Sequence, residues 1–227
     1  MTRRAGKWYA CFACEVEVAP LPEARQDVGV DVGIASLITT SRGEKVGHPG
    51  WYRAEQRTLR VLQRRVARRK NGSHNRHKAV VALQRQHERI SNRRKDFLNK
   101  LAHQLIVSND RIALEDLRIA NMARNRHLAK SILDASWGYL VQHLTSKAAE
   151  AGRVVLLIDP RYTSKTCSQC GHIFETLSLS DRWIDCSCGL SIDRDHNAAI
   201  NILKRAGQVR WGESSPVGGL LQEAVPF

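Results

Sequence analysis

Apolar and polar residues alternate from Lys7 to Val18, with Trp8, Ala10, Phe12, Cys14, Val16 and Val18 in one phase. This period of two predicts a half-buried strand. Cys11 and Cys14 would then point to opposite faces, which argues against a shared metal and makes both structural. Pro20 and Pro22 break the pattern, and a second strand is predicted over Val28 to Thr40. Ser41-Arg42-Gly43 has the composition of a hairpin turn leading to a short return strand. The period then changes. Leu59, Leu62 and Val66 form a helical stripe, Asn71-Gly72-Ser73 interrupts it, and a longer helix runs to about Val107 on a seam of Leu83, Ile90, Phe97, Leu101 and Leu105. His87 and Arg94 interrupt that seam.

Asn109-Asp110 predicts a turn, and Arg111 to Leu117 a buried strand carrying Glu115 and Asp116 near its end. Leu133, Trp137, Leu140, Leu144 and Ala148 predict one amphipathic helix, stopped by Gly152. Val154 to Ile158 reads as a strand covered on both faces. After a cysteine-rich segment, Ala198, Ala199, Ile202 and Leu203 predict a last helix ending at Gly207. The remaining residues, 208–227, have no period and read as a loose tail. The order of elements is that of a mixed α/β domain. No apolar run approaches the about 18 residues that a membrane-spanning helix needs. A signal peptide is not supported either, because Glu15 and Glu17 interrupt the N-terminal apolar stretch, so the chain reads as cytoplasmic.

Charge adds a partner to this picture. The 227 residues hold 36 Lys+Arg against 22 Asp+Glu, a net +14. Between Arg53 and Lys100 alone there are 16 Lys+Arg and 3 Asp+Glu, so nearly all the excess lies in the helical hairpin. A solvated face normally mixes signs, whereas a face of one sign repels itself unless something neutralises it. The candidate phosphate contacts are Arg57, Arg60, Arg64, Arg65, Arg68, Arg69 and Lys70 on the first helix and its end, and Arg93, Arg94 and Lys95 on the second. They point to a nucleic acid.

Two groups of residues carry candidate chemistry. Cys167, Cys170, Cys186 and Cys188 fall within 22 residues, a metal-ligand spacing that suits structural Zn²⁺. Few apolar residues lie between the pairs, so metal binding would supply the stability, roughly 10–16 kcal/mol. Free thiols and an iron–sulfur site are the alternatives. The second pair is a tight C-x-C, so Asp185 or His172 could enter the ligand set. The other group is acidic: Asp31 within an apolar strand, Glu115 at a strand end and Asp195 at a helix start. Singly, these read as an unusual strand acid, an exposed strand end and a helix cap. Together they would repel, by roughly 4 kcal/mol per pair about 4 Å apart at an effective dielectric of 20, and Mg²⁺ or Mn²⁺ would relieve them. Two such ions could cleave a phosphodiester. Spacing by itself does not establish that the acids converge.

Val28-Gly29-Val30-Asp31-Val32-Gly33-Ile34 resembles the first motif of a RuvC-type nuclease, whose fold is RNase H-like. Leu114-Glu115-Asp116-Leu117 with Asn121-Met122 resembles the second, and Asp193 to Ile202 the third. The cysteine segment, led in by Tyr162 to Gly171, lies just before the third motif. This order resembles the TnpB (OrfB) proteins of bacterial insertion sequences, relatives of the type V CRISPR effectors. The resemblance implies a metal-dependent DNA endonuclease, guided by an RNA from the element's end and often called a transposase. Asp31, Glu115 and Asp195 would be its catalytic acids; Asp195 is preferred to Asp193 because it stands two residues before Asn197. The implied fold is an RNase H-like mixed sheet with an inserted basic hairpin, 53–107, and an inserted zinc ribbon, 161–190. The nuclease core would span 23–160, with a final segment at 191–207. The protein would be nucleoid-associated; no oligomeric state follows from the residues.

The departure is at the front. Family members carry recognition helices and a wedge barrel before the nuclease, and residues 1–22 resemble only the last strands of that barrel. The alternative reading is a truncated, non-cleaving relative that still binds nucleic acid through hairpin and ribbon. A transposase that joins strands is a third, which joined products would distinguish from cleavage alone.

Overall fold

The computed structural model describes residues 1–15, 17–178 and 180–208. Val16, and the tail expected beyond Gln208, lie outside the described residues. The chain opens with a hairpin of β1 (Thr2–Arg4) and β2 (Lys7–Tyr9), turned through Ala5 (φ 48°) and Gly6 (φ 83°). It continues with β3 (Asp27–Val32), β4 (Ser36–Thr40) and β5 (Lys45–Gly47), then helices α1 (Trp51–Ala67) and α2 (His74–Ser108). Next come β6 (Arg111–Glu115), α3 (Ile119–Met122), α4 (Ala129–Ala135), α5 (Trp137–Glu150) and β7 (Val154–Ile158). Two short strands, β8 (Trp183–Asp185) and β9 (Ser191–Asp193), pair before the final helix α6 (Arg194–Gln208).

The central sheet has five strands in the order β5-β4-β3-β6-β7. β3, β6 and β7 are parallel, and β4 and β5 form an antiparallel extension on the β3 edge. Alternation divides the side chains between two layers. Val28, Val30, Ile112 and Leu114 face a core filled by Leu98, Leu101 and Leu105 of α2 and Leu140 and Leu144 of α5. Ala113, Leu156 and Ile158 face the other way, onto Ile202 and Ala206 of α6. β7 is therefore covered on both faces, as its continuous apolar run predicts. α6 lies so close to β3 that a Cβ on Gly29 would stand 2.1 Å from the Ala199 carbonyl oxygen. Only glycine allows that approach.

α1 and α2 form the expected hairpin, and its turn at residues 68–73 follows the predicted breaker. Ser73 caps α2 by accepting a hydrogen bond from the Arg76 N–H at 3.2 Å. α1 has no cap of its own; Asp134 of α4 supplies one, accepting from the Tyr52 N–H at 3.0 Å.

Three sequence expectations need correction. The strand predicted over residues 7–18 ends at Tyr9, because a strand forms only where a neighbour completes its hydrogen-bond ladder, and the partner β1 is three residues long. Phe12, Cys11 and Cys14 are exposed, so neither cysteine is a core residue. The strand predicted over 28–40 folds back at residues 33–35 into β3 and β4, with the Gly33 N–H bonded to the Leu37 carbonyl at 3.3 Å. Asp31 therefore sits near the end of a strand, not at its middle. The helix predicted through Leu133 and Ala148 is two helices, α4 and α5, because Ser136 takes a left-handed conformation (φ 53°) between them. That break rotates the face, and Leu133 is exposed.

Candidate active site and cysteine cluster

Asp31 and Glu115 occupy the same level of adjacent parallel strands, one step beyond the registered pair Val30 and Leu114. Parallel neighbours lie about 4.8 Å apart, and both side chains point to the face that α6 covers. Asp195 stands in the first turn of α6, one helical turn before Ala199, which packs on Gly29. The three acids thus come together through one strand pair and one helix crossing. Electrostatics register the result. The Asp31 carboxyl is held well above the usual carboxylate range, first by burial and then by the charges of Glu115 and Asp195, with Arg194 opposing. Burial also raises Glu115, against the Thr163 hydrogen bond and the charge of Arg205. Arg194 Nε lies 3.9 Å from Asp195 Oδ1.

Asp193 has a different job. Its Oδ1 accepts from the N–H groups of Asp195 and His196, both at 3.1 Å, which makes it the cap of α6. Its other oxygen pairs with Lys45 Nζ at 2.8 Å. Burial works to raise its pKa, but Lys45 and the backbone N–H donors outweigh it and hold the carboxyl below its ordinary value. The helix-cap role that Asp195 alone would suggest therefore belongs to Asp193, and Asp195 is left to the acidic cluster.

The four cysteines meet. Their sulfurs all lie within 4.8 Å of one another, with Cys167 and Cys188 at 3.7 Å and Cys170 and Cys186 at 3.6 Å. Zinc–sulfur bonds of about 2.3 Å in a tetrahedron put sulfurs about 3.8 Å apart, so the cluster fits that ion; disulfides would need about 2 Å. Gly171 (φ 79°) and Gly189 (φ 91°) close the two knuckles, their N–H groups bonding the carbonyls of Cys167 and Cys186. The C-x-C pair thus closes as a tighter version of the same turn. Burial raises the Cys167 thiol, but the N–H groups of Cys170 and Gln169 outweigh it and hold it at about 7. At Cys188 the Leu190 N–H favours the thiolate, but burial and the three neighbouring sulfurs push it up to about 12. Four thiolates this close need a cation. Neither Asp185 nor His172 belongs to the cluster; Asp185 accepts from the Ser191 hydroxyl, and His172 packs edge-on against Phe174.

Two residues of the third motif had no role in the sequence reading. Asn197 and Asn201, one turn apart on α6, bind the loop that leads into the cysteines. Asn197 accepts from the Ser168 N–H at 2.8 Å and donates to the Thr166 carbonyl at 2.7 Å; Asn201 donates to the carbonyls of Thr163 and Thr166 at 2.8 and 2.6 Å. The one available signal was an asparagine pair at i, i+4 beside the apolar face of that helix.

The basic residues divide. The side chains of Arg57, Arg60, Arg64, Arg65, Arg68, Arg69 and Lys70 make no hydrogen bond or ion pair among the described residues, and Arg64, Arg65, Arg68 and Arg69 line one groove. Arg93, Arg94 and Lys95 make contacts within the chain, Arg93 and Lys95 from exposed positions. Arg93 pairs with Glu55 at 3.3 Å, Arg94 with Asp134 at 3.7 Å and with the Leu133 carbonyl, and Lys95 lies 5.6 Å from the Tyr139 ring centre.

The profile of the OrfB_IS605 family, described as "Probable transposase", matches residues 11–126, about half of the chain. The chain belongs to that family. The Cas12f1-like TNB domain matches residues 137–202, which include the cysteine cluster and most of α6. A Streptomyces pristinaespiralis protein named as a putative RNA-guided DNA endonuclease is 42% identical over 88% of this chain and 50% of its own length. InsQ of Escherichia coli, named likewise, is 32% identical over 89% of this chain and 55% of its own. The chain thus spans about half the length of these relatives. The cryo-EM structure of a Cas12f1–sgRNA–target DNA complex superimposes with a TM-score of 0.59 at 16% identity, over 83% of this chain and 52% of that one. The fold is the expected RuvC-type mixed sheet, with the basic hairpin and the cysteine ribbon as insertions. Among the described residues no helix is long and apolar enough to cross a membrane.

Proposed function

We propose that this chain is the nuclease part of an RNA-guided DNA endonuclease, with Asp31, Glu115 and Asp195 as its metal-holding catalytic acids. One observation carries the reading. The fold brings three carboxylates from β3, β6 and α6 together at a place where burial and mutual repulsion work against the charge on Asp31. Buried carboxylates that repel one another favour a hard divalent cation, which would draw their oxygens together. Bound Mg²⁺ or Mn²⁺ would activate water and stabilise the leaving oxygen in phosphodiester hydrolysis. The chain's own contribution is placement. Gly29 lets α6 close onto the sheet, Asp193 and Lys45 fix the start of α6, and Arg194 balances part of the charge on Asp31 and Asp195.

Cys167, Cys170, Cys186 and Cys188 would hold structural Zn²⁺, making 161–190 the ribbon. The side chains on and just beyond α1, from Arg57 to Lys70, would hold the backbone of a guide–target duplex without reading its sequence. DNA and a guide RNA from the element's end are the proposed partners, and residues 1–22 the last strands of a wedge-type barrel.

The test is cleavage of labelled single-stranded and duplex DNA in Mg²⁺ or Mn²⁺, with RNA copurified after expression together with the gene's own flank. The wild-type chain is expected to cut and Asp31→Ala to lose cutting. A chain that keeps its zinc and its fold, binds DNA and cuts none under any of these conditions would overturn the nuclease reading in favour of a binding role.

A further inference from the structure

The geometry points to Thr163 as a positioning residue for Glu115, one that ties the placement of this acid to the folded cysteine cluster. The inference rests on the proposed metal-holding role of the three acids. Thr163 is 2% exposed. Its hydroxyl donates to Glu115 Oε1 and lies 2.9 Å from the Pro160 carbonyl oxygen. A hydroxyl has a single proton, and an ionised carboxylate is the stronger acceptor. No other hydrogen bond or ion pair holds the Glu115 side chain among the described residues. A buried threonine needing only a partner would be satisfied by Pro160, three residues away. The contact to Glu115 instead crosses to another element.

The loop is shaped for that contact and held from outside itself. Tyr162, just before Thr163, has φ 59°, a left-handed conformation that a bulky side chain rarely takes. Such a turn persists where its surroundings over-determine it. Here the surroundings are α6 and the first cysteine knuckle. Asn201 binds the Thr163 and Thr166 carbonyls, Asn197 binds Thr166 and Ser168, and Lys204 Nζ donates to the Ser168 carbonyl. Ser168 directly follows Cys167. The line of contacts runs from the cysteine cluster through the α6 asparagines to Thr163, and from Thr163 to Glu115. A folded knuckle therefore holds the hydroxyl at the carboxylate, and a loosened one releases it.

Mn²⁺ binding to the purified, zinc-loaded chain, followed by the EPR signal of free Mn²⁺, tests this without an activity assay. Thr163→Val keeps the shape and removes the hydroxyl; Thr163→Ala serves as a second variant should valine disturb the loop. Both are expected to keep zinc and the circular dichroism of the wild type and to weaken Mn²⁺ binding about 10–100-fold, the usual cost of losing a partner of a metal-ligating carboxylate. Thr163→Ser is expected to restore it. Cys188→Ser is expected to weaken Mn²⁺ binding in the wild type and to add little in Thr163→Val, since both act through one contact. Wild-type affinity in Thr163→Val, failure of Thr163→Ser to restore binding, or fully additive losses with Cys188→Ser would overturn the inference. If the wild type binds no Mn²⁺, or Glu115→Gln leaves binding unchanged, the metal-holding role itself fails and takes this inference with it.

Discussion

Asp31 shows how a single buried acid can weaken a fold, a cost that its proposed metal-holding role would explain. Its carboxyl is raised by burial and by Glu115 and Asp195, so its folded pKa lies above the unfolded one. Between those two values the native chain carries the extra proton, and stability falls as pH rises through that window. The contribution is fully present below the ordinary aspartate value near 4 and is lost above the folded value. Asp31→Asn removes the penalty. Without added divalent cation, it is expected to flatten that pH dependence and to raise the melting temperature at pH 7 by about 2–4 °C, equivalent to about 1 kcal/mol for a chain of this size. Thermal unfolding followed from pH 4 to 8 checks this; a lower melting temperature at pH 7 would contradict it. Asp193 is the contrasting acid. Two residues from Asp195 in sequence, it has its lone pairs taken by a helix start and Lys45. Sequence position separated the two only by resemblance to a motif. The physical difference between them lies in partners that the fold supplies.

The decisive contact between elements is that of α6 with β3. Val28, Val30, Ile112 and Leu114 mark one buried face of the sheet, where large apolar side chains recur at every second position. The other face carries Gly29, which has no side chain, and Ala113, which has a single methyl, and such residues say little in sequence about what covers them. In the structure they make room for α6, which delivers Asp195. Gly29→Ala would place a Cβ 2.1 Å from the Ala199 oxygen and 2.7 Å from the Leu203 nitrogen, both backbone atoms that cannot swing aside. The expected cost is about 1–3 kcal/mol or more. Faster hydrogen exchange in α6 and a lower melting temperature are the measurements; an unchanged melting temperature would mean that the helix has room to move. Periodicity failed where it lacked a partner or hid a break. Among the described residues, 10–15 alternate without a neighbouring strand, and Ser136 breaks an apparently continuous helix through a backbone conformation that its side chain does not announce.

Across the whole molecule, the basic hairpin separates into a free face and a structural one. Composition could not make that division, since all ten candidates are arginines and lysines in the same hairpin. Replacing Arg64 and Arg68 together by Ala is expected to lower duplex affinity and to reduce the slope of log K against log salt by about 2, near 0.9 for each phosphate no longer neutralised. Stability should stay within about 0.5 kcal/mol. Arg94→Ala is expected to do the reverse. It leaves Asp134, whose side chain is 2% exposed, without its ion pair, and should cost about 1–3 kcal/mol with the salt slope unchanged. Fluorescence anisotropy across a salt series, with parallel melting curves, separates the two effects. Equal salt slopes for the two mutants would mean that Arg94 also reaches phosphate.

What the sequence determined by itself was the local and the compositional. The cysteine spacing, the basic hairpin, the strand carrying Asp31 and the helix carrying Asp195 all follow from short-range patterns, because backbone periodicity and ligand spacing are local properties. The tertiary structure decided which of these parts meet. Register set Asp31 beside Glu115, the close crossing at Gly29 brought Asp195 to them, and the α6 asparagines carried the cysteine knuckle to Thr163. Those contacts join residues far apart in the chain, and such contacts are set by packing among elements, which no short-range pattern contains.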